Sequence, residues 1–472
     1  MKNTFLAQLI QSFSQTERKE VENYLHSPFF NQRRDLQQLF HYLAECLHDL
    51  ALVPTRKQVF QKIFPNEPYD DQQLRLLSSY LLRQLEQYLL VKECLQTPLH
   101  TNHLLLRAYR KKDLSKHMRK ALRRQQQKLE KQPFRHAAYH QAAYWLEQEL
   151  YQMESQAGRS RAHNLQVLEN HLHHTFLSKR LRQACLLLAH QAVYKTDYAI
   201  EMIAPLLDNA GQPEQQKVPA IAVYYYCYKI LSTPEEDHYF YAFKEKLLNH
   251  ISHFPKAEMR DLFLMALNFC IRKINENRPY FREALELYRK GLESKILLEN
   301  GQLSRFTYNN IVGVALRLQE TEWVADFIGK YRPLLEPAWQ ESTYSLCAAR
   351  LEYTRKNYDK ALLYLQKADY RDYINNMVAK IIQLKIYCEL NEYDLLESHL
   401  KTMRSFVGRN KRLGYHQRNY SNIINMTQRL IRINPYDKKA RERLRQRIEA
   451  ADPLTEKSWL LEQLEAATNY GF

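Results

Sequence analysis

The densest group of metal-ligating side chains in the sequence is His171, His173 and His174. On a helix, residues three or four apart share a face, so His171 and His174 have the spacing to touch one ion. A structural zinc needs further ligands. No Cys or His pair at ligand spacing stands beside them, and Cys185 is eleven residues on, so the spacing assigns no metal site. The carboxylate pairs Asp70–Asp71 and Glu235–Glu236 open expected helices, where negative charge suits the positive end of the helix dipole. That is capping, not acid–base chemistry. A Gly-x-Ser-x-Gly elbow, a Walker-type phosphate loop and a His-Glu-x-x-His helix are all missing from the sequence. Only nine residues are glycine, and no two are close enough to build a phosphate-cradling loop. Nucleotide enzymes and tight hairpins are therefore disfavoured, and no catalytic residue or cofactor is assigned.

The elements that remain are helices. Leucine, glutamine, lysine, arginine and glutamate dominate, all good helix formers. With 472 residues, the chain exceeds one hydrophobic core, so several domains or an open-ended repeat array are expected. The spacing Ser14-x-x-Glu17 predicts a capping box, with the helix ending at Ser27-Pro28. Asn31, Thr55 and Asp70 are expected N-caps of later helices. Polar residues break the apolar stretch at the N-terminus, and no apolar run approaches the roughly 18 residues of a membrane span. Seven widely spaced cysteines suit reduced core thiols. A cytoplasmic location without integral membrane association is expected.

Aromatic residues recur at Tyr239, Phe281, Trp323, Tyr358 and Tyr393, at intervals of 42, 42, 35 and 35. The two intervals differ by seven residues, about two helical turns, so added residues lengthen a helix without rotating its buried face. Three residues after each aromatic stand Ala242, Ala284, Asp326, Ala361 and Leu396, small in three cases. The stretch from Asn357 through Tyr358 and Ala361 to Ala368, preceded by Ala349, resembles the tetratricopeptide repeat, and the stretch from Phe281 through Ala284 to Gly291 is similar. Asp326 and Arg272 depart from that pattern. Segments around Ser27-Pro-Phe-Phe-Asn31, Phe64 to Asp70, Leu177 to Cys185 and Trp459 to Leu464 look like an uncharacterised family of tetratricopeptide-like proteins from Bacteroidota.

The resemblance implies an all-α chain, an α-solenoid of antiparallel helix pairs behind an N-terminal helical region. Four parts are expected: residues 1–100, 101–215, 216–405 with the repeats, and 406–472 as a basic cap. Stacked pairs line a groove with their first helices, which implies a non-catalytic scaffold for a protein or peptide partner. Repeat phase places Tyr308, Asn309, Tyr344, Arg350 and Lys385 in that groove.

The net charge of +17 is concentrated in two segments, Arg107 to Arg135 with a balance of +10 and Lys401 to Arg447 with +12, so the rest carries −5. In the first, Leu114, Met118, Leu122 and Leu129 form an apolar stripe opposite Lys116, Arg119, Lys120, Arg123, Arg124 and Lys128. In the second, Arg404, Arg409, Lys411, Arg412 and Arg418 accompany Phe406, Tyr415 and Tyr420, a mixture able to stack and pair with single-stranded bases. Nucleic-acid binding through these cations is the alternative function, and solvated outer faces are the plainer reading. The segment from Thr55 to Leu85 is similar to the helix, turn and recognition helix of winged-helix regulators, which would aim Arg75, Ser79 and Arg83 at a DNA groove.

Overall fold

Helix-forming composition and well-placed caps produce 23 α-helices among the described residues. The structure, a computed structural model, describes residues 4–46, 54–156, 162–194, 196–276, 278–366, 373–409, 416–434 and 436–466. The chain divides into two compact units, Met1–Gln183 with Ile200–Tyr224, and Ala184–Ala199 with Tyr225–Phe472.

The first unit opens with α1 (Phe5–Ser12), α2 (Gln15–His26), α3 (Arg34–Cys46), α4 (Arg56–Ile63) and α5 (Asp71–Gln96). Leu25, Leu39, Phe40, Phe60, Leu81 and Leu85 belong to their shared core. Ser14 and Glu17 close the expected capping box, Thr55 and Gln58 make a second, and the Asp70 carboxylate accepts from the Gln72 and Gln73 amides. Asn31 behaves otherwise. Its buried side-chain amide donates to the Leu25 and Arg33 carbonyls, clamping the turn between α2 and α3 instead of capping a helix. Next come α6 (Pro98–Lys111), α7 (Ser115–Lys131) and α8 (Ala137–Gln156), around Leu106, Met118, Leu122 and Leu146. They are followed by α9 (Leu165–Tyr194), α10 (Ile203–Ala210) and α11 (Pro219–Ser232). The boundary between the units falls within α9 and α11.

The second unit continues with α12 (Asp237–Asn249), α13 (Lys256–Asn275), α14 (Phe281–Glu293), α15 (Arg305–Arg317), α16 (Thr321–Tyr331), α17 (Pro337–Thr354), α18 (Tyr358–Gln366), α19 (Tyr373–Glu389) and α20 (Tyr393–Arg409). The chain closes with α21 (His416–Arg432), α22 (Lys438–Ala450) and α23 (Lys457–Ala466). Packing follows chain order: α15 touches α16 and α17, and α17 touches α18 and α19. One core cluster runs from Met377 to Leu464, across the 405/406 boundary expected from the sequence.

Three of the helix pairs share one turn. Gln319, Lys356 and Asn391 each take a left-handed backbone conformation. One residue on, the Glu320, Asn357 and Glu392 amides bond back to the Ala315, Glu352 and Tyr387 carbonyls, the six-to-one bond that ends a helix in a Schellman motif. This geometry makes Thr321, Tyr358 and Tyr393 equivalent, with Val324, Ala361 and Leu396 buried three residues later. Trp323 is therefore two residues out of register, which explains why Asp326 is exposed.

A hairpin, disfavoured by glycine scarcity, is present all the same. β1 (Leu298–Glu299) pairs antiparallel with β2 (Gln302–Leu303) across Asn300-Gly301, both at positive φ as a type I′ turn requires. Among the described residues, no helix is long and apolar enough to cross a membrane.

Candidate functional site

Helical phase decides what the second unit turns inward. Residues 309, 313 and 317 of α15 stand one turn apart, and their side lines a cavity of about 990 Å³. Asn275 of α13, Phe281 at the start of α14, Arg350 of α17 and Asn375 of α19 line the same space, to which α16, α18 and α20 contribute no residue. A second concavity of about 600 Å³ shares Gly313, Arg317 and Arg350 and extends to Lys385 and Glu389 of α19. The Arg350 guanidinium lies over Gly313, where a Cβ would come 3.4 Å from Nη2. It also donates to the Asn309 carbonyl at 3.4 Å.

The floor of this space is met by the chain's own C-terminal segment. Asn419 and Asn422 of α21 hold the segment in place: Asn419 accepts from the Thr455 amide at 2.6 Å, and Asn422 donates to the Pro453 carbonyl at 2.9 Å. Glu456, at positive φ just before α23, then accepts from Lys385 Nζ at 2.7 Å. Burial opposes ionisation of Glu456, but the charge and hydrogen bond of Lys385, with Arg317 and Arg350 nearby, outweigh it and lower its pKa. Beside it, the Glu389 carboxylate accepts from Trp459 Nε1 at 2.8 Å, from Lys356 Nζ at 2.9 Å and from the Tyr353 and Tyr358 hydroxyls. Burial again opposes the charge, and these four donors overcome it, so its pKa is also lowered. With four donors, Glu389 anchors α23 and is not a poised base.

Of the five groove residues expected from repeat phase, Asn309, Arg350 and Lys385 line the concavities. Tyr308 does not. It is fully buried, its hydroxyl donating to the Ile328 carbonyl at 2.7 Å and its ring against Phe327. One residue is about 100° of helix, enough to move its side chain from the groove to the core. Tyr344, six residues before Arg350, also leaves the groove and packs under the Arg332 guanidinium and beside Tyr364. Gly313, Arg317 and Glu456 line the concavities as well; the first two follow from Asn309 by steps of four, and nothing local in the sequence marks Glu456.

On α7, Met118, Ala121, Leu122, Gln125 and Leu129 are buried, whereas Leu114 precedes the helix and is 37% exposed. Lys116, Arg119, Lys120, Arg123, Arg124 and Lys128 are all exposed. The second basic segment departs from the stacking expectation. Tyr420 is buried and Phe406 is packed into the same core, while Arg404 and Arg432 bond to Gln428 and Glu397. Arg409 is exposed at the end of α20; Lys411, Arg412 and Tyr415 lie outside the described residues. Arg75 is paired with Asp71 at 2.6 Å, and no strand flanks α5 among the described residues, so the winged-helix expectation lacks its wing. Comparison with known protein families, curated proteins and solved structures finds no match.

Proposed function

We propose that the helix pairs from α13 to α20 form a tetratricopeptide-like solenoid, and that the chain is a non-catalytic cytoplasmic scaffold. Its inner face would take an acidic peptide or helix from a protein partner. The observation that carries this reading is the Lys385–Glu456 contact, in which an acidic residue of a non-helical segment sits on the face lined by the first helices. Arg317 and Arg350 extend the same positive surface into the larger cavity. Buried polar groups there are engaged with one another, which supports binding over chemistry.

A second reading has its own support. Lys116, Arg119, Lys120, Arg123 and Arg124 line one exposed surface of α7, and none of them is ion-paired with a carboxylate among the described residues. Such a face could neutralise phosphates of a nucleic acid, with affinity falling by about 0.9 log units per contact for each decade of salt. Affinity purification with and without nuclease separates the two. Proteins retained by the wild-type chain after nuclease treatment should be lost with the Arg317→Glu, Arg350→Glu double variant. If nuclease alone empties the preparation, the nucleic-acid reading replaces the scaffold reading.

A further inference from the structure

The strongest unassigned chemistry lies in the first unit and does not depend on the peptide-binding reading. His140 of α8 meets His171 and His174 of α9, and each ring offers one nitrogen, all within 4.8 Å of one another. We propose that His140, His171 and His174 bind one divalent transition-metal ion of the zinc class.

The spacing suits such an ion. With bonds of about 2.0–2.1 Å in a tetrahedral site, ligand nitrogens stand about 3.3 Å apart, and the Nδ1 atoms of His140 and His171 are 3.4 Å apart. Two neutral imidazoles facing each other can share only one proton between those atoms. His140 is 6% exposed, and its Nε2 is buried with no hydrogen-bond partner among the described residues. A ring gives an ion only one nitrogen, so the facing Nδ1 atoms, and not this Nε2, are what His140 and His171 offer it.

His171 and His174 are half-buried and so reached from solvent, and a zinc ion held by three protein ligands takes water as its fourth. The donor set is all nitrogen, which suits zinc and its neighbours and gives little to calcium or magnesium, which prefer oxygen. The ligating form is the neutral imidazole, which histidine takes above its usual pKa of about 6.5. His173 faces elsewhere, with Nε2 2.9 Å from Asn209 Oδ1, and serves as the internal control.

The test is titration of the full-length, chelator-treated protein with zinc, read by calorimetry, and with cobalt, read by its visible ligand-field bands. One equivalent of zinc should bind. His171→Ala and His174→Ala should each weaken binding on the order of 100-fold, and His173→Ala should leave it unchanged. Calcium and magnesium should not compete. X-ray absorption of the zinc-loaded wild type should show imidazole nitrogen in the first shell, a readout that needs no variant to fold. Sub-stoichiometric binding by the folded wild type, or equal affinity in His171→Ala, His174→Ala and His173→Ala, would overturn the proposal.

Discussion

At Gly291 in α14 and Gly313 in α15 the same substitution should have opposite effects. A methyl group at Gly291 would lie 2.7 Å from Leu297 Cγ and 2.8 Å from its Cδ1, with Leu297 itself buried. Gly291→Ala should therefore cost about 1–3 kcal/mol through overpacking. At Gly313 the nearest atoms belong to the Arg350 guanidinium, 3.4 Å away, the mobile end of a long side chain. Gly313→Ala should stabilise by up to about 1 kcal/mol, the difference in helix propensity. Urea denaturation of both variants checks the pair; a large loss at Gly313 would mean that Arg350 is held rigidly. The sequence shows that glycines are scarce but not which side chain covers each one. It is equally silent on His140, because the third ring of the cluster comes from another helix, 31 residues from His171.

Among elements, the contact of α19 with α20 carries a pH dependence. His399 of α20 donates from Nε2 to the Lys380 carbonyl of α19 at 2.8 Å, with the Tyr387 ring edge-on to it. Burial lowers its pKa, the bond to Lys380 opposes this, and the Lys380 charge adds to the lowering. His250 is also lowered, by burial and then by His253 and Lys246, and His140, His171 and His174 are lowered chiefly by burial and add to the same trend. The unfolded chain, with histidines near 6.5, then binds more protons than the native one as pH falls below that value. Stability should be full above 6.5 and decline toward the lowered native values. The carboxylates of Glu389 and Glu456, also lowered, lose their contribution only below about 4.5. Urea midpoints should therefore fall between about pH 6.5 and pH 5, ahead of carboxylate protonation; a flat profile across that interval would contradict the assignment. Helix identity and caps such as Ser14, Thr55 and Asp70 were legible because local spacing determines them. Register was less so. Trp323 satisfied the aromatic spacing, yet the left-handed turn at Gln319 makes Thr321 the true equivalent of Tyr358. Asn300-Gly301 formed a hairpin because asparagine too tolerates positive φ.

For the molecule as a whole, the two units present different sets of side chains. The first presents the cations of α7 and the three histidines; the second presents an inner face bearing Asn309, Arg317, Arg350 and Lys385. Of the five residues expected there, Asn309, Arg350 and Lys385 line the concavities and Tyr308 and Tyr344 do not, because helical phase decides which way a side chain faces. What could not be read was the chain's own contribution to it. Glu456 and Trp459 reach Lys385 and Glu389 from about 70 residues away, and no local pattern encodes so distant a contact. We propose that partners dock on this face and not on α16, α18 or α20. Photo-crosslinking in cells tests it most directly, with p-benzoylphenylalanine replacing Asn310 on α15 or the exposed Leu395 on α20. A discrete protein should be crosslinked from position 310 and not from 395, and Arg317→Glu with Arg350→Glu should abolish the product. Crosslinks from 395 alone, or a product at 310 indifferent to those charge reversals, would contradict it.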